Sequence, residues 1–167
     1  AVLEQQKSYD EALKALDGSA GVVLCPSGLA AASTALLSCL SAGDHLLMVD
    51  TTYQPTRQFC DRVLSRFGIE TTYYDPLIGV GIEALIRPNT KAVYLEAPGS
   101  QTFEMQDVPA IAEVAHRHGA TVLLDNSWAT PLFFDAFSHG VDLSIQAGTK
   151  YIVGHSDAMF GVVSASR

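Results

Sequence analysis

Short apolar runs alternate along this chain with amphipathic stretches, and that alternation limits the fold more than any other feature. The runs are "GVVLC" (21–25), "HLLMVD" (45–50), "IETTYY" (69–74), "KAVYLEA" (91–97), "TVLLD" (121–125) and "DLSIQA" (142–147), and each reads as a strand. Between them, "LAAASTALLSCLSAG" and the stretches near 55–67, 80–86, 108–118 and 132–139 read as helices. A first helix would open on a capping box of Ser8 and Glu11 and end at Gly18. Pro26 to Gly28 and Asp75-Pro76 mark turns, and "PGSQ" (98–101) a loop. Strands that are apolar throughout and alternate with helices predict an α/β domain. Its sheet should be mainly parallel, with helices on both faces. No repeat, low-complexity tract or linker divides the sequence, so residues 1–167 read as a single domain, or as a piece of one. The apolar run "MFGVVSA" lies just before Arg167, an odd place for such a sheet to stop, so the domain is expected to be incomplete.

Charge and composition narrow the function. The formal net charge is −8 and no basic stripe stands out, so nucleic acid and anionic membrane are poor partners. Hydrophobic residues make up 48% and charged residues 17%, the balance of a chain with a packed core. No apolar run is long enough to span a bilayer, and "AVLEQQKSYDEALKAL" lacks the apolar centre of a signal peptide. Cys25, Cys39 and Cys60 are odd in number and widely spaced, which suits neither a disulfide framework nor a zinc site. A reducing, cytoplasmic setting is expected.

Ligands of open α/β sheets gather at the carboxyl ends of the strands, and three of those ends carry unusual residues. "PSGLAA" runs from a small-residue turn straight into a helix, whose first amides can bind an anion while Gly28 admits a phosphate closely; it can equally be a plain turn. Asp125 closes a strongly apolar strand, where a carboxylate can hold a buried cation or simply form a turn. Lys150 follows "SIQAGT" and is one of only four lysines. Burial there would lower its pKa and make the amine a nucleophile towards a carbonyl, against the commoner fate of a snorkelling surface lysine. Thr149 could offer a hydroxyl to a phosphate, and Tyr53 a ring to stack on a heterocycle. Together these are the parts needed to hold pyridoxal 5′-phosphate.

The chain resembles the pyridoxal-phosphate enzymes of cysteine and methionine metabolism, the family of cystathionine β-lyase, γ-lyase and γ-synthase. "PSGLAA", "TTYQPTRQFC", "DPLIG", "LEAPGS", "LLDNSWATP" and "SIQAGTKYIVGHSD" carry the likeness, in order, over about residues 10–165. Tyr53 stands 25 residues after Gly28, and Lys150 stands 25 after Asp125, as in the family pattern. The resemblance implies the large cofactor domain of a fold-type I, aminotransferase-like enzyme. It implies that Lys150 binds the cofactor covalently as a Schiff base, Asp125 pairs with the pyridine nitrogen and Tyr53 stacks on the ring. The amides of Gly28 and Leu29 and the Thr149 hydroxyl would hold the phosphate. Lys150 and Tyr53 are the expected catalytic residues, and no metal is expected.

Ala147, three residues before the lysine, and Ser100 differ from many relatives and fit the β-lyase branch. That branch carries out α,β-elimination of L-cystathionine to homocysteine, pyruvate and ammonia; γ-lyase or γ-synthase chemistry, or a non-catalytic cofactor-binding fragment, are the alternatives. A small amino-acid substrate and a homo-oligomer, dimer or tetramer, are implied as well. Two family features are missing from this sequence: a Tyr-x-Arg pair upstream of the first helix and the C-terminal domain with its substrate-binding arginine. Residues 1–8 read as a junction or an altered end.

Other motifs point less far. "GVGIEA" (79–84) matches a permissive dinucleotide fingerprint but lacks the strand–turn–helix context, and "AGTK" lacks the order of a Walker loop. His155, Ser156 and Asp157 are sequence neighbours, which a converging triad does not require, and read as a polar loop. His116 and His118 face different ways and read as solvated. Trp128 is a candidate for lining the substrate pocket or for the core.

Overall fold

The apolar runs become strands of one seven-stranded sheet in the computed structural model, which describes residues 2–167. In chain order the strands are β1 (Gly21–Cys25), β2 (His45–Val49), β3 (Glu70–Tyr74), β4 (Thr90–Glu96), β5 (Thr121–Asp125), β6 (Leu143–Gln146) and β7 (Gly161–Ala165). The helices are α1 (Val2–Asp17), α2 (Gly28–Cys39), α3 (Gln54–Arg62), α4 (Val108–Arg117) and α5 (Thr130–Phe133), with 3-10 turns at Leu64–Phe67, Gly79–Leu85 and Phe137–His139. Across the sheet the order is β1-β7-β6-β5-β4-β2-β3. Pairings from β3 to β6 are parallel, whereas β7 is antiparallel to both β6 and β1. Six strands therefore run one way, and the α/β expectation holds with a single reversed strand inserted near one edge.

Strand alternation sorts the core into two layers. Leu46, Met48, Ala92, Tyr94, Leu123, Ile145 and Val163 face Ala31, Ala32, Ala35 and Leu36 of α2 and Cys60 at the end of α3. The small residues of α2 let its axis approach the sheet closely. Leu47, Val49, Val93, Leu95, Val122 and Leu124 face Ile111, Ala112 and Ala115 of α4 on the other side. Full burial of each leucine or valine contributes about 1.5–3 kcal/mol. Fully buried His45 sits at the amino ends of the strands, its ring nitrogens 2.8 Å from Thr90 Oγ1 and 2.9 Å from Thr72 Oγ1. Burial pushes its pKa down, so this histidine serves as a neutral bridge between strands.

Three helix boundaries differ from the sequence reading. Ser8 lies inside α1 and caps nothing, and Gly18 follows the helix in the left-handed region at φ 67°. Ala1, part of the suggested junction, lies outside the described residues. The stretch 55–67 is α3 followed by a 3-10 turn, and 132–139 holds α5 and a second short turn rather than one helix. Among the described residues no helix is long and apolar enough to cross a membrane.

Candidate active site

Five strand ends, those of β1, β2, β4, β5 and β6, bring the candidate residues to one end of the sheet. Glycines make the convergence close. A Cβ on Gly28 would stand 2.6 Å from Ala147 Cβ, and one on Gly161 would stand 2.0 Å from the Ser27 carbonyl oxygen. One on Gly148 would stand 2.3 Å from Phe160 Cδ1. The start of α2, the segment after β6 and the start of β7 can therefore touch only through hydrogen atoms. Ser27 caps α2: its Oγ accepts from the Ala30 amide at 3.1 Å, and its carbonyl accepts from the Ala31 amide at 3.0 Å. The amides of Gly28 and Leu29 come before any intrahelical acceptor, at the electropositive end of the helix. That is the arrangement a phosphate needs.

Asp125 ends β5 on the face of the sheet that α2 covers, as alternation from buried Leu123 requires. The Ser127 amide donates to Asp125 Oδ1 at 3.0 Å, and Ser127 Oγ in turn accepts from the Ala147 amide at 2.6 Å. Burial pushes the Asp125 carboxyl above its ordinary range, while Ser127 and the positive charge of Lys150 pull it down.

Glu96, the register partner of Asp125, ends β4 beside it. Its Oε2 accepts from the Tyr53 amide at 2.7 Å and from Thr52 Oγ1 at 3.2 Å. Burial and the neighbouring Asp125 carboxyl raise its pKa to about 8. Sequence reasoning passed over Glu96, although the signal that picked out Asp125, an acid closing an apolar strand, is present at "KAVYLEA".

Lys150 departs from one expectation: it is exposed, not buried. The chain leaves the sheet after Gln146 and turns outward, with the Lys150 amide donating to the Ala147 carbonyl at 2.9 Å. Nucleophilicity by desolvation is thus not a property of this lysine as it stands. Thr149 is tied to Phe160, the residue just before β7. Its amide and hydroxyl donate to the Phe160 carbonyl at 3.0 and 3.1 Å, and its Oγ1 accepts from the Phe160 amide at 2.8 Å. Its hydroxyl proton is thereby committed, leaving acceptor capacity only. Tyr53 stands at the N-cap of α3, 46% exposed, with its ring free of the core.

Trp128 is 60% exposed and meets Phe103 edge to face, with centroids 6.5 Å apart, so it does not belong to the core. His155, Ser156 and Asp157 are all exposed. His116 pairs with Asp142 at 2.8 Å and His118 with Glu83 at 3.1 Å, two separate surface contacts. Gly79–Leu85 forms a 3-10 turn that sends Ile82 into the core, which accounts for "GVGIEA" without a nucleotide.

A mainly parallel sheet with an open helix start and carboxyl groups closing β4 and β5 is the architecture of a pyridoxal-phosphate enzyme. The chain belongs to the Cys/Met metabolism PLP-dependent enzyme family, whose pattern matches residues 4–167. A protein of Rhizobium johnstonii is 61% identical over 156 residues, covering 93% of this chain and 39% of that one. Cystathionine beta-lyase MetC of Escherichia coli is 47% identical over 156 residues, covering 92% and 40%. The crystal structure of metB from Corynebacterium glutamicum superposes with a TM-score of 0.91 at 28% identity, over 95% of this chain and 41% of that one. Other relatives are named L-methionine gamma-lyase and L-alanine/L-glutamate racemase. The chain thus spans about 40% of the length of the curated relatives it matches. The family is dependent on pyridoxal phosphate, and the groups at these strand ends fit that cofactor: amides for the phosphate, a carboxylate for the ring nitrogen and an amine for the aldehyde.

Proposed function

We propose that the protein is a carbon–sulfur lyase acting on L-cystathionine, which with water yields homocysteine, pyruvate and ammonia by α,β-elimination. The observation that carries the reading is geometric: Gly28, at the open start of α2, packs against Ala147, three residues before Lys150, on the face of the sheet where Asp125 ends β5. Names among the relatives favour the β-lyase reaction. When bound, the cofactor withdraws electrons from the substrate Cα and so makes its proton acidic.

Each group of the chain has a part. Lys150 Nζ would hold the cofactor through its aldehyde and would serve as the base that takes the Cα proton. The Asp125 carboxylate would hold the proton on the pyridine nitrogen. Tyr53 would stack on the ring, and Lys150 or a tyrosine hydroxyl would hand a proton to the departing sulfur. The Gly28 and Leu29 amides would carry the phosphate. Thr149 would add its hydroxyl only after rotating it away from Phe160.

A homo-oligomer, dimer or tetramer, belongs to this reading. It is supported by large apolar side chains left exposed, among them Phe133 at 87%, Leu132 at 73% and Met159 at 70%. A cytoplasmic setting belongs to it too, supported by the free thiols of Cys25, Cys39 and Cys60.

Borohydride treatment of the protein with pyridoxal phosphate, followed by peptide mass analysis, is the test. Capture on Lys150, its loss in Lys150→Ala with the melting temperature unchanged, and pyruvate from cystathionine are expected. Capture elsewhere, or turnover by Lys150→Ala, refutes the assignment. The relative named L-methionine gamma-lyase motivates a second reading, γ-elimination, for which the product would be 2-oxobutyrate.

A further inference from the structure

Glu96 has no part in the chemistry assigned above, yet it stands between two of its participants. Its Oε2 takes hydrogen bonds from Tyr53 and Thr52, 43 and 44 positions away in sequence, and so ties the end of β4 to the start of α3. Tyr53 is the N-cap of α3 and its side chain supplies no cap hydrogen bond. On its other flank Glu96 is in register with Asp125. One carboxyl group thus grips the backbone of the ring-stacking residue and adjoins the acid for the ring nitrogen.

We infer that Glu96 is a positioning residue: by accepting the Tyr53 main-chain N–H it fixes the Tyr53 ring against the pyridine, and so sets how tightly and at what angle the cofactor is held. The inference rests on the reading of Tyr53 and Asp125 given above. Burial and the Asp125 carboxyl raise the pKa of Glu96 against the pull of its Tyr53 and Thr52 hydrogen bonds, and even a neutral acid offers Oε2 as an acceptor. Glutamine keeps an acceptor oxygen there, and alanine does not.

The test uses the protein loaded with pyridoxal phosphate, as wild type, Glu96→Gln, Glu96→Ala, Tyr53→Ala and the Glu96→Ala/Tyr53→Ala double variant. Cofactor affinity, the visible circular dichroism of bound cofactor and hydrogen exchange at the Tyr53 amide are measured. Loss of the hydrogen bond to the Tyr53 amide predicts about fivefold weaker cofactor binding in Glu96→Ala. Its dichroic band should change and its Tyr53 amide should exchange faster, while Glu96→Gln stays within about twofold of wild type by the same reasoning. In the Tyr53→Ala background Glu96→Ala should add nothing, because it acts through that ring. A merely structural role would lower the melting temperature and leave the dichroism per bound cofactor unchanged. Wild-type affinity and dichroism in Glu96→Ala, or full additivity in the double variant, overturns the inference. If alanine prevents folding, Glu96→Leu, close in volume and without an acceptor, takes its place under the same criteria. Absence of wild-type capture on Lys150 overturns the proposed function and this inference together; capture with an unaffected Glu96→Ala overturns the inference alone.

Discussion

Two carboxyl groups close adjacent parallel strands at Glu96 and Asp125, and burial raises the pKa of both. For an acid whose folded pKa exceeds its unfolded value, the native state binds more protons between the two values, so stability falls as pH rises through that interval. For Glu96 the window runs from 4.5 to about 8. The slope is at most about 1.4 kcal/mol per pH unit for one group. Urea denaturation of the cofactor-free protein at several pH values between 5 and 8.5 should therefore show falling stability in wild type. Glu96→Gln should flatten the fall, match wild type near pH 5 and exceed it near pH 8. Parallel curves for the two proteins would show that Glu96 titrates normally. The Ser127 hydrogen bonds and the charge of Lys150 oppose the rise at Asp125.

At the scale of elements, the site is an assembly problem solved by glycine. Gly28 faces the side chain and Cα of Ala147, at 2.6 and 2.9 Å from its hypothetical Cβ. Gly161 faces the main chain of Ser27, at 2.0 Å from oxygen and 2.5 Å from carbon. A side-chain methyl can yield a little, and a helix-capping carbonyl cannot. Gly28→Ala should therefore cost about 1–3 kcal/mol, in the range of core overpacking, and Gly161→Ala more than that. Equal melting temperatures for the two variants would contradict the ranking. These contacts also mark how far the sequence could be read. The inner strands β2, β4, β5 and β6 are legible because buried strands are mostly apolar, and the edge strands β1 and β3 because their short runs are rich in β-branched and aromatic residues. Gly28, Asp125 and Lys150 were legible because each breaks such a run. That Gly28 meets Ala147 was not, because the contact joins segments more than a hundred residues apart. Nor was the break near 134, where the Asn126 side chain donates to the Phe134 carbonyl at 3.1 Å and draws the chain out of the helix. The exposure of Lys150 depends on where the loop turns after Gln146, and no periodicity encodes that.

At the scale of the whole molecule, β7 joins the two ends of the fold. Its apolar run was legible, but its direction was not. The connection from β6 spans residues 147–160 and contains no helix of its own, so the chain returns antiparallel instead of crossing over. Within the sheet β1 is joined to the rest only through β7, and the lysine loop is anchored to the residue just before β7 by Thr149 and Phe160. Val162 is fully buried between Leu24 on one side and Gln146 on the other. An aspartate there would leave an unpaired charge in the sheet, at a cost of about 3 kcal/mol or more. Val162→Asp should remove hydrogen-exchange protection from Gly21–Cys25 before it does so from β4 and β5. It should also lower borohydride capture at Lys150, since the Phe160 anchor loosens with the strand. Val23→Asp, at a position 54% exposed on β1, should change stability by only about 0.5 kcal/mol and leave capture intact. Loss of protection across all strands together would show instead that β7 is no separate joint and that the sheet opens as one unit.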